Sequence, residues 1–225
     1  MIRIVLIDVD NTLLDFDRCA AYAIETGMRE VGLPYTEETY PAFRQINERL
    51  WREIEKGNLK REGLTGIRWP WIFDRLGIRA DGAAFEERFV RHLYDSHETV
   101  DGARELLEYL SGKYEVYAAS NAPAGEQENR LTRAGLRPYL KGLFISQELG
   151  HPKPSREFFE ACFRLLGEPP RDEVLLIGDS LTADMKGGVE FGIHTCWFNH
   201  DGRSHDIDLP VERIADRLEE IRSYY

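Results

Sequence analysis

The sequence predicts an α/β fold in which a parallel sheet carries helices on both faces, interrupted near its start by an all-helical insert. Two observations predict it. Short β-branched and aromatic runs bounded by turn residues alternate with amphipathic helical stretches, which is the rhythm of strands joined by helical crossovers. Between the first run and the second, over residues 17–94, that rhythm stops and only helical spacing remains.

The expected strands are 3–9, 114–120, 143–146, 174–179 and 194–198, each short enough for a fully buried strand. Leu106, Leu107 and Leu110 form one helical stripe between them, and Phe158, Phe159, Cys162, Phe163 and Leu166 another. Val211, Ile214, Leu218 and Ile221 recur at three, four and three residues and predict a last amphipathic helix. In the insert, four stripes follow one another: Ile24, Met28 and Val31; Phe43, Ile46, Leu50 and Ile54; Ile72, Phe73 and Leu76; Phe85, Phe89 and Leu93. Pro34, Gly57, Gly66 and Gly82 punctuate them. An insert of this length is no ordinary crossover, so residues 17–94 are expected to form a helical cap domain on a core built from 1–16 and 95–225. The two nearby chain crossings predict a hinge, and a cap closing over the sheet edge would exclude water during reaction.

Composition narrows the function. The chain has 225 residues, 42% of them hydrophobic and 31% charged, ordinary for a soluble globular protein. No apolar run approaches the ~20 residues of a membrane helix, and the apolar stretch at Ile4 is too short for a signal peptide. A net charge of -11 disfavours nucleic-acid polymers and anionic membranes as partners, leaving a small anionic substrate wherever a local cation overrides the field. Cys19, Cys162 and Cys196 are odd in number and form no CxxC pair, so neither a disulfide framework nor structural zinc is expected, and a reducing cytoplasm is the expected compartment.

The chemistry gathers at strand ends. Asp8 and Asp10 close the first strand, and residues two apart on a strand share a face. The second strand ends at Ser120-Asn121, the fourth at Gly178-Asp179-Ser180, with Asp184 five residues beyond Asp179. Lys153 sits between Pro152 and Pro154 in the loop after the third strand, where two rigid residues limit its reach. Taken singly, each of these could be a turn, a cap or a solvated charge. Together they converge on one edge of one sheet, the edge where doubly wound folds bind ligands. Clustered carboxylates repel unless a divalent cation or a shared proton compensates, and hard oxygen donors select Mg²⁺. A carboxylate attacking a phosphate dianion needs that cation too, with Lys153 and the Ser120 hydroxyl to hold phosphoryl oxygens.

Asp8-x-Asp10-Asn-Thr12, Ala-Ser120-Asn121, Lys153-Pro154 and Gly178-Asp179-Ser180 with Asp184 resemble, in order, the four motifs of haloacid dehalogenase-like (HAD) hydrolases. The resemblance implies a Rossmann-like core, an aspartyl-phosphate intermediate and Mg²⁺ as cofactor. It implies Asp8 as nucleophile and Asp10 as general acid/base. The metal would be held by Asp8, the Asp10 carbonyl and Asp179, with Asp184 supporting it directly or through water or Lys153, and the phosphoryl group by Ser120, Asn121 and Lys153. A carboxylate at Asp10 favours phosphatase over 2-haloacid dehalogenase, because a strongly basic leaving oxygen needs a proton and a halide does not. A catalytically silent binding protein is the other alternative, but no catalytic position is lost.

Asn47, Leu50 and Trp51 in the insert, with the Gly192–Asn199 stretch, are loosely similar to bacterial pyrimidine 5′-nucleotidases, which implies small phosphorylated metabolites, above all nucleoside 5′-monophosphates, as substrates. One departure is Ala122, where that branch carries glycine; a methyl there would restrict φ or crowd the phosphate. Trp51, Trp69 and Trp71 are expected to pack the cap helices together, with base stacking the alternative. His200, Asp201, His205, Asp206 and Asp208 read as a solvated loop and not a second metal site, and Lys56, Lys60 and Arg61 as a helix end.

Overall fold

The structure, a computed structural model, describes residues 1–202 and 208–225 and divides into two compact units, Met1–Asp15 with His97–Tyr225 and Phe16–Ser96. The first unit is built on a six-stranded, all-parallel sheet: β1 (Ile4–Ile7), β2 (Glu115–Ser120), β3 (Gly142–Ile145), β4 (Val174–Gly178), β5 (His194–Phe198) and β6 (Arg213–Ala215). They lie in the order β3-β2-β1-β4-β5-β6, the Rossmann-like order of a doubly wound sheet.

The second unit is helical: α1 (Phe16–Glu30), α2 (Thr39–Glu55), α3 (Arg68–Leu76) and α4 (Gly82–Asp95). All four predicted stripes fall in these helices save Val31, which lies just past the end of α1 and is exposed. Phe43, Trp69, Phe73, Phe85 and Phe89 interlock at their centre, the tightest pair being Trp69 edge-on to Phe85 at 4.4 Å. Arg68 and Glu86 are buried there as an ion pair, with Asn47 Oδ1 accepting a third guanidinium bond at 2.8 Å. The tryptophans split: Trp69 is a core residue, Trp51 is half-buried against that core, and Trp71 is 44% exposed beneath the Arg49 guanidinium. Lys56 caps the C-terminus of α2 and pairs with Glu53, as expected of a helix end.

Helices α5 (Ala103–Ser111), α6 (Ala124–Arg133), α7 (Ser146–Leu149), α8 (Arg156–Leu165), α9 (Lys186–Phe191) and α10 (Leu218–Tyr224) belong to the sheet unit. Alternation along β1 sorts them. Val5 and Ile7 face a layer that includes Leu106, Leu107 and Leu110 of α5, Leu131 of α6 and Leu218 and Ile221 of α10. Ile4 and Leu6 face the opposite layer, with Phe158, Phe159, Cys162 and Phe163 of α8 and Phe191 of α9. The three cysteines are buried and free.

One expected element is corrected. The stripe Val211-Ile214-Leu218-Ile221 is not a single helix. Residues 213–215 are the edge strand β6, pairing Cys196 with Arg213 and Phe198 with Ala215, and the helix begins only at Leu218. A parallel ladder with β5 satisfies the backbone there, and a strand running into a helix happened to reproduce helical spacing. Ile214 is 41% exposed as a result, whereas Leu218 and Ile221 are buried. His200 pairs with Asp201 at 3.0 Å and Asp208 is exposed, while His205 and Asp206 lie outside the described residues. Among the described residues no helix is long and apolar enough to cross a membrane.

A Cβ on Gly82, the first residue of α4, would sit inside the backbone of Trp69 and Pro70. Gly82→Ala therefore forces α3 and α4 apart and is expected to cost at least about 2 kcal/mol, read as a lower thermal midpoint. An unchanged midpoint would contradict this packing.

Candidate active site

Asp8, Ser120 and Asp179 are placed by strand ends. The chain arrives at β4 from the far edge strand β3, so the direction of winding reverses between β1 and β4, and ligands of doubly wound sheets bind outside the carboxyl ends at such a point. Asp8 follows β1, and its amide donates to Ile177 O at 2.8 Å, extending the β1–β4 ladder by one residue. Asp179 directly follows β4. Beyond Asp8 the chain folds back tightly: Leu13 and Leu14 amides both donate to Val9 O at 2.8 Å, and Asn11 takes a left-handed φ of 61°, a conformation asparagine tolerates.

Asp184 sits in a π-helical turn, Leu181–Met185, a distortion common at functional sites. The Ser180 hydroxyl accepts from Ala183 N at 3.1 Å, and the Ser180 amide donates to Asp184 Oδ2 at 3.2 Å, which aims the carboxylate back toward the strand end. A Cβ at Gly178 would occupy the position of that carboxylate, so glycine is the residue that fits at the end of β4. The indole N–H of Trp197 on β5 donates to Asp179 O at 2.9 Å.

One oxygen each from Asp8, Asp179 and Asp184 lies within 4.8 Å of the others. Lys153, 2% exposed, joins two of them: Nζ donates to Asp8 Oδ1 at 2.7 Å, to Asp184 Oδ1 at 2.6 Å and to Ala119 O at 2.6 Å. An ammonium has three protons, and all three are engaged. Burial pushes the Asp8 carboxyl up to about 7; Lys153 pulls it down, and Asp184 and Asp10 push it up again. Burial alone would favour neutral Lys153, yet Asp184 and Asp8 more than offset this and raise its proton affinity.

Asn121, expected to contact a phosphate, holds the lysine loop in this structure. Its Oδ1 accepts from Lys153 N at 2.9 Å and its Nδ2 donates to Lys153 O at 3.0 Å. Ser120 Oγ accepts from Ala122 N and from Gln127 Nε2, each at 3.1 Å. With both acceptor positions filled, its own proton is directed elsewhere, as a donor to an incoming oxygen requires. Ala122 is not among the non-glycine residues with positive φ, so its methyl meets no backbone restriction.

The Asp10 side chain stands apart from the three-carboxylate cluster. Arg130 Nη1 donates to its Oδ1 at 2.7 Å and Gln127 Nε2 to its Oδ2 at 2.5 Å. Sequence reasoning missed Gln127 and Arg130, as it did Trp197 and the role of Gly178. The available signal was in α6, where Glu126, Gln127 and Arg130 occupy the same helical face as Leu131, polar residues where an apolar stripe belongs.

A family profile described as haloacid dehalogenase-like hydrolase matches residues 2–192. The chain belongs to the haloacid dehalogenase-like hydrolases. It is 34% identical to HAD-hydrolase YfnB of Bacillus subtilis over 97% of this chain and 93% of that one. It is 33% identical to pyrimidine 5′-nucleotidase PynA of Streptococcus pneumoniae, over 94% of this chain and 90% of that one. It is 30% identical to pyrimidine 5′-nucleotidase YjjG of Escherichia coli, over 96% and 95%. A crystal structure of YfnB bound to magnesium, described as revealing interdomain movement, superposes with a TM-score of 0.93 over 99% of this chain and 98% of that one.

The residues of this HAD hydrolase fit a small divalent cation. The donors are hard carboxylate oxygens, close enough for one ion to bridge, and three formal negative charges face the single positive charge of Lys153. The glycine at 178 leaves the space that the Asp184 carboxylate fills. Gly178→Ala is expected to displace Asp184 and weaken Mg²⁺ affinity at least about tenfold by titration calorimetry; wild-type affinity would contradict the cradle.

The raised Asp8 carboxyl also has a sign. Its proton affinity in the fold exceeds that in the unfolded chain, so its contribution to stability is complete below the unfolded value of 3.8 and is lost as pH rises through about 7. Without divalent ions, Asp8→Asn is expected to gain about 5 °C in thermal midpoint over the parent between pH 5 and pH 8. A difference independent of pH would refute the assignment.

Proposed function

We propose that this HAD hydrolase is a Mg²⁺-dependent phosphomonoesterase that works through an aspartyl-phosphate on Asp8, with nucleoside 5′-monophosphates as the favoured substrates. The observation that carries the chemistry is the convergence, at one sheet edge, of the Asp8, Asp179 and Asp184 carboxylates with the buried Lys153 ammonium and the Ser120 hydroxyl, whose acceptor positions are already filled. Support for the substrate class comes from the relatives, two of which are pyrimidine 5′-nucleotidases at 30% and 33% identity over nearly their whole length.

Asp8, Asp179 and Asp184 would hold the metal, together with the Asp10 carbonyl. Bound there, Mg²⁺ supplies positive charge that offsets the repulsion between a carboxylate nucleophile and a phosphate dianion. Asp8 attacks phosphorus as the bond to the leaving oxygen breaks, and Asp10, as a carboxylic acid, passes its proton to that oxygen. The Ser120 hydroxyl donates to a phosphoryl oxygen, and Lys153 supplies the second cation of the site. Asp10, now a carboxylate, takes a proton from water as the water oxygen attacks the acyl phosphate. The phosphorus–oxygen bond to Asp8 breaks, and inorganic phosphate leaves with Asp8 restored. Asn121 keeps the Lys153 backbone in place throughout. A halide leaves without a proton, so dehalogenation would give Asp10 no leaving group to protonate.

Purified protein is expected to release phosphate from 4-nitrophenyl phosphate and from pyrimidine nucleoside 5′-monophosphates with Mg²⁺ present and to stop when a chelator removes it. Asp8→Asn should lower kcat by roughly 10⁴-fold or more with the fold intact by circular dichroism. Undiminished turnover in that variant, or activity indifferent to chelator, would overturn the reading.

A further inference from the structure

The phosphomonoesterase reading asks Asp10 to move a proton at a defined place, and α6 supplies two side chains that bear on it. Arg130 is 0% exposed, and Gln127 is equally buried. Leu131 on the same face belongs to the apolar layer over the sheet, whereas these two side chains are polar. Each donates to a different oxygen of one carboxylate, Arg130 Nη1 to Asp10 Oδ1 and Gln127 Nε2 to Asp10 Oδ2. Two donors on two oxygens fix the plane of a carboxylate, whereas one leaves it free to rotate about its axis. The same Gln127 nitrogen donates to Ser120 Oγ at 3.1 Å, so one amide sets the spacing between the proposed proton donor and the proposed phosphoryl-binding hydroxyl. Glu126, 3.6 Å from Arg130, steadies the guanidinium from its other neighbour on the helix.

We propose that Arg130 and Gln127 are positioning residues for the leaving-group step: they orient the Asp10 carboxyl so that its proton reaches the leaving oxygen. This rests on the phosphomonoesterase reading above. Neither residue touches substrate; both act through Asp10, and Gln127 through Ser120 as well.

The step itself provides a readout that a structural role would not move. As Asp8 bonds to phosphorus, the leaving oxygen departs with its electron pair. A nucleoside alkoxide must receive the Asp10 proton, whereas 4-nitrophenolate is stable as an anion and departs without it. The two esters share every other contact at phosphorus, and kcat/KM reports the step that breaks the ester bond.

In Arg130→Met and Gln127→Met, kcat/KM for uridine 5′-monophosphate is expected to fall about 10²- to 10³-fold and that for 4-nitrophenyl phosphate only about tenfold. Arg130→Lys keeps a cation without the planar fork and should recover part of the nucleotide rate. Thermal midpoints identify variants that fold; if the buried Arg130→Met does not, Gln127→Met and Arg130→Lys carry the comparison. Equal losses on the two esters in folded variants, or nucleotide turnover at the wild-type rate, would overturn the proposal. Wild-type protein that hydrolyses neither ester would instead overturn the phosphomonoesterase reading on which it stands.

Discussion

Lys153 Nζ lies in a nearly dry position with three acceptors around it, two of them carboxylates from chain segments far apart in sequence. The rest of the candidate site depends on this sharing of one ammonium. Asp8 and Asp184 would repel if brought together without it, and a buried lysine would surrender its proton without them. Buried ion pairs of this kind contribute little net stability, because desolvating the charges costs about as much as their attraction returns. Such a cluster is better understood by what it binds. It still carries more negative than positive charge, the condition under which a divalent cation completes it.

The fold makes that concentration of charge geometrically cheap. Reversal of winding between β1 and β4 opens a crevice outside their carboxyl ends, and Asp8 and Asp179 are the residues immediately past those ends. Secondary features then aim the other groups. The π-helical turn returns Asp184 to the strand it has just left, Gly178 makes room for it, and the Asn121 amide grips the Lys153 backbone on both sides. The buried polar face of α6 performs the same service for Asp10. Around the candidate catalytic groups there is thus a ring of residues that hold their side chains or backbone in place.

Much of this was legible before any coordinates. Motif residues at strand ends announce themselves because carboxylates, Ser120 and Lys153 stand directly after apolar runs, and parallel strands put all such ends on one edge. The helical unit was legible because its four stripes repeat with helical spacing and lack strand texture. What remained hidden was whatever depends on tertiary pairing. Edge strand β6 is only three residues long, and its exposed Ile214 mimics a helix stripe when joined to Leu218 and Ile221. Gln127 and Arg130 look like ordinary surface residues of a polar helix until the fold shows that their face is the covered one. Asn121 stands within a motif, but whether its amide meets ligand or backbone is decided by the Lys153 loop, 32 residues away.

The proposed chemistry turns on Asp8 itself attacking phosphorus. Its most direct test is to quench the enzyme in acid during turnover of a nucleoside 5′-monophosphate with Mg²⁺ and map the resulting peptides by mass spectrometry. One phosphoryl group is expected on the peptide containing Asp8, assigned to that side chain and removed by hydroxylamine, as acyl phosphates are. Turnover with no phosphoryl group on the protein at any quench time, or with the group on another residue, would contradict it.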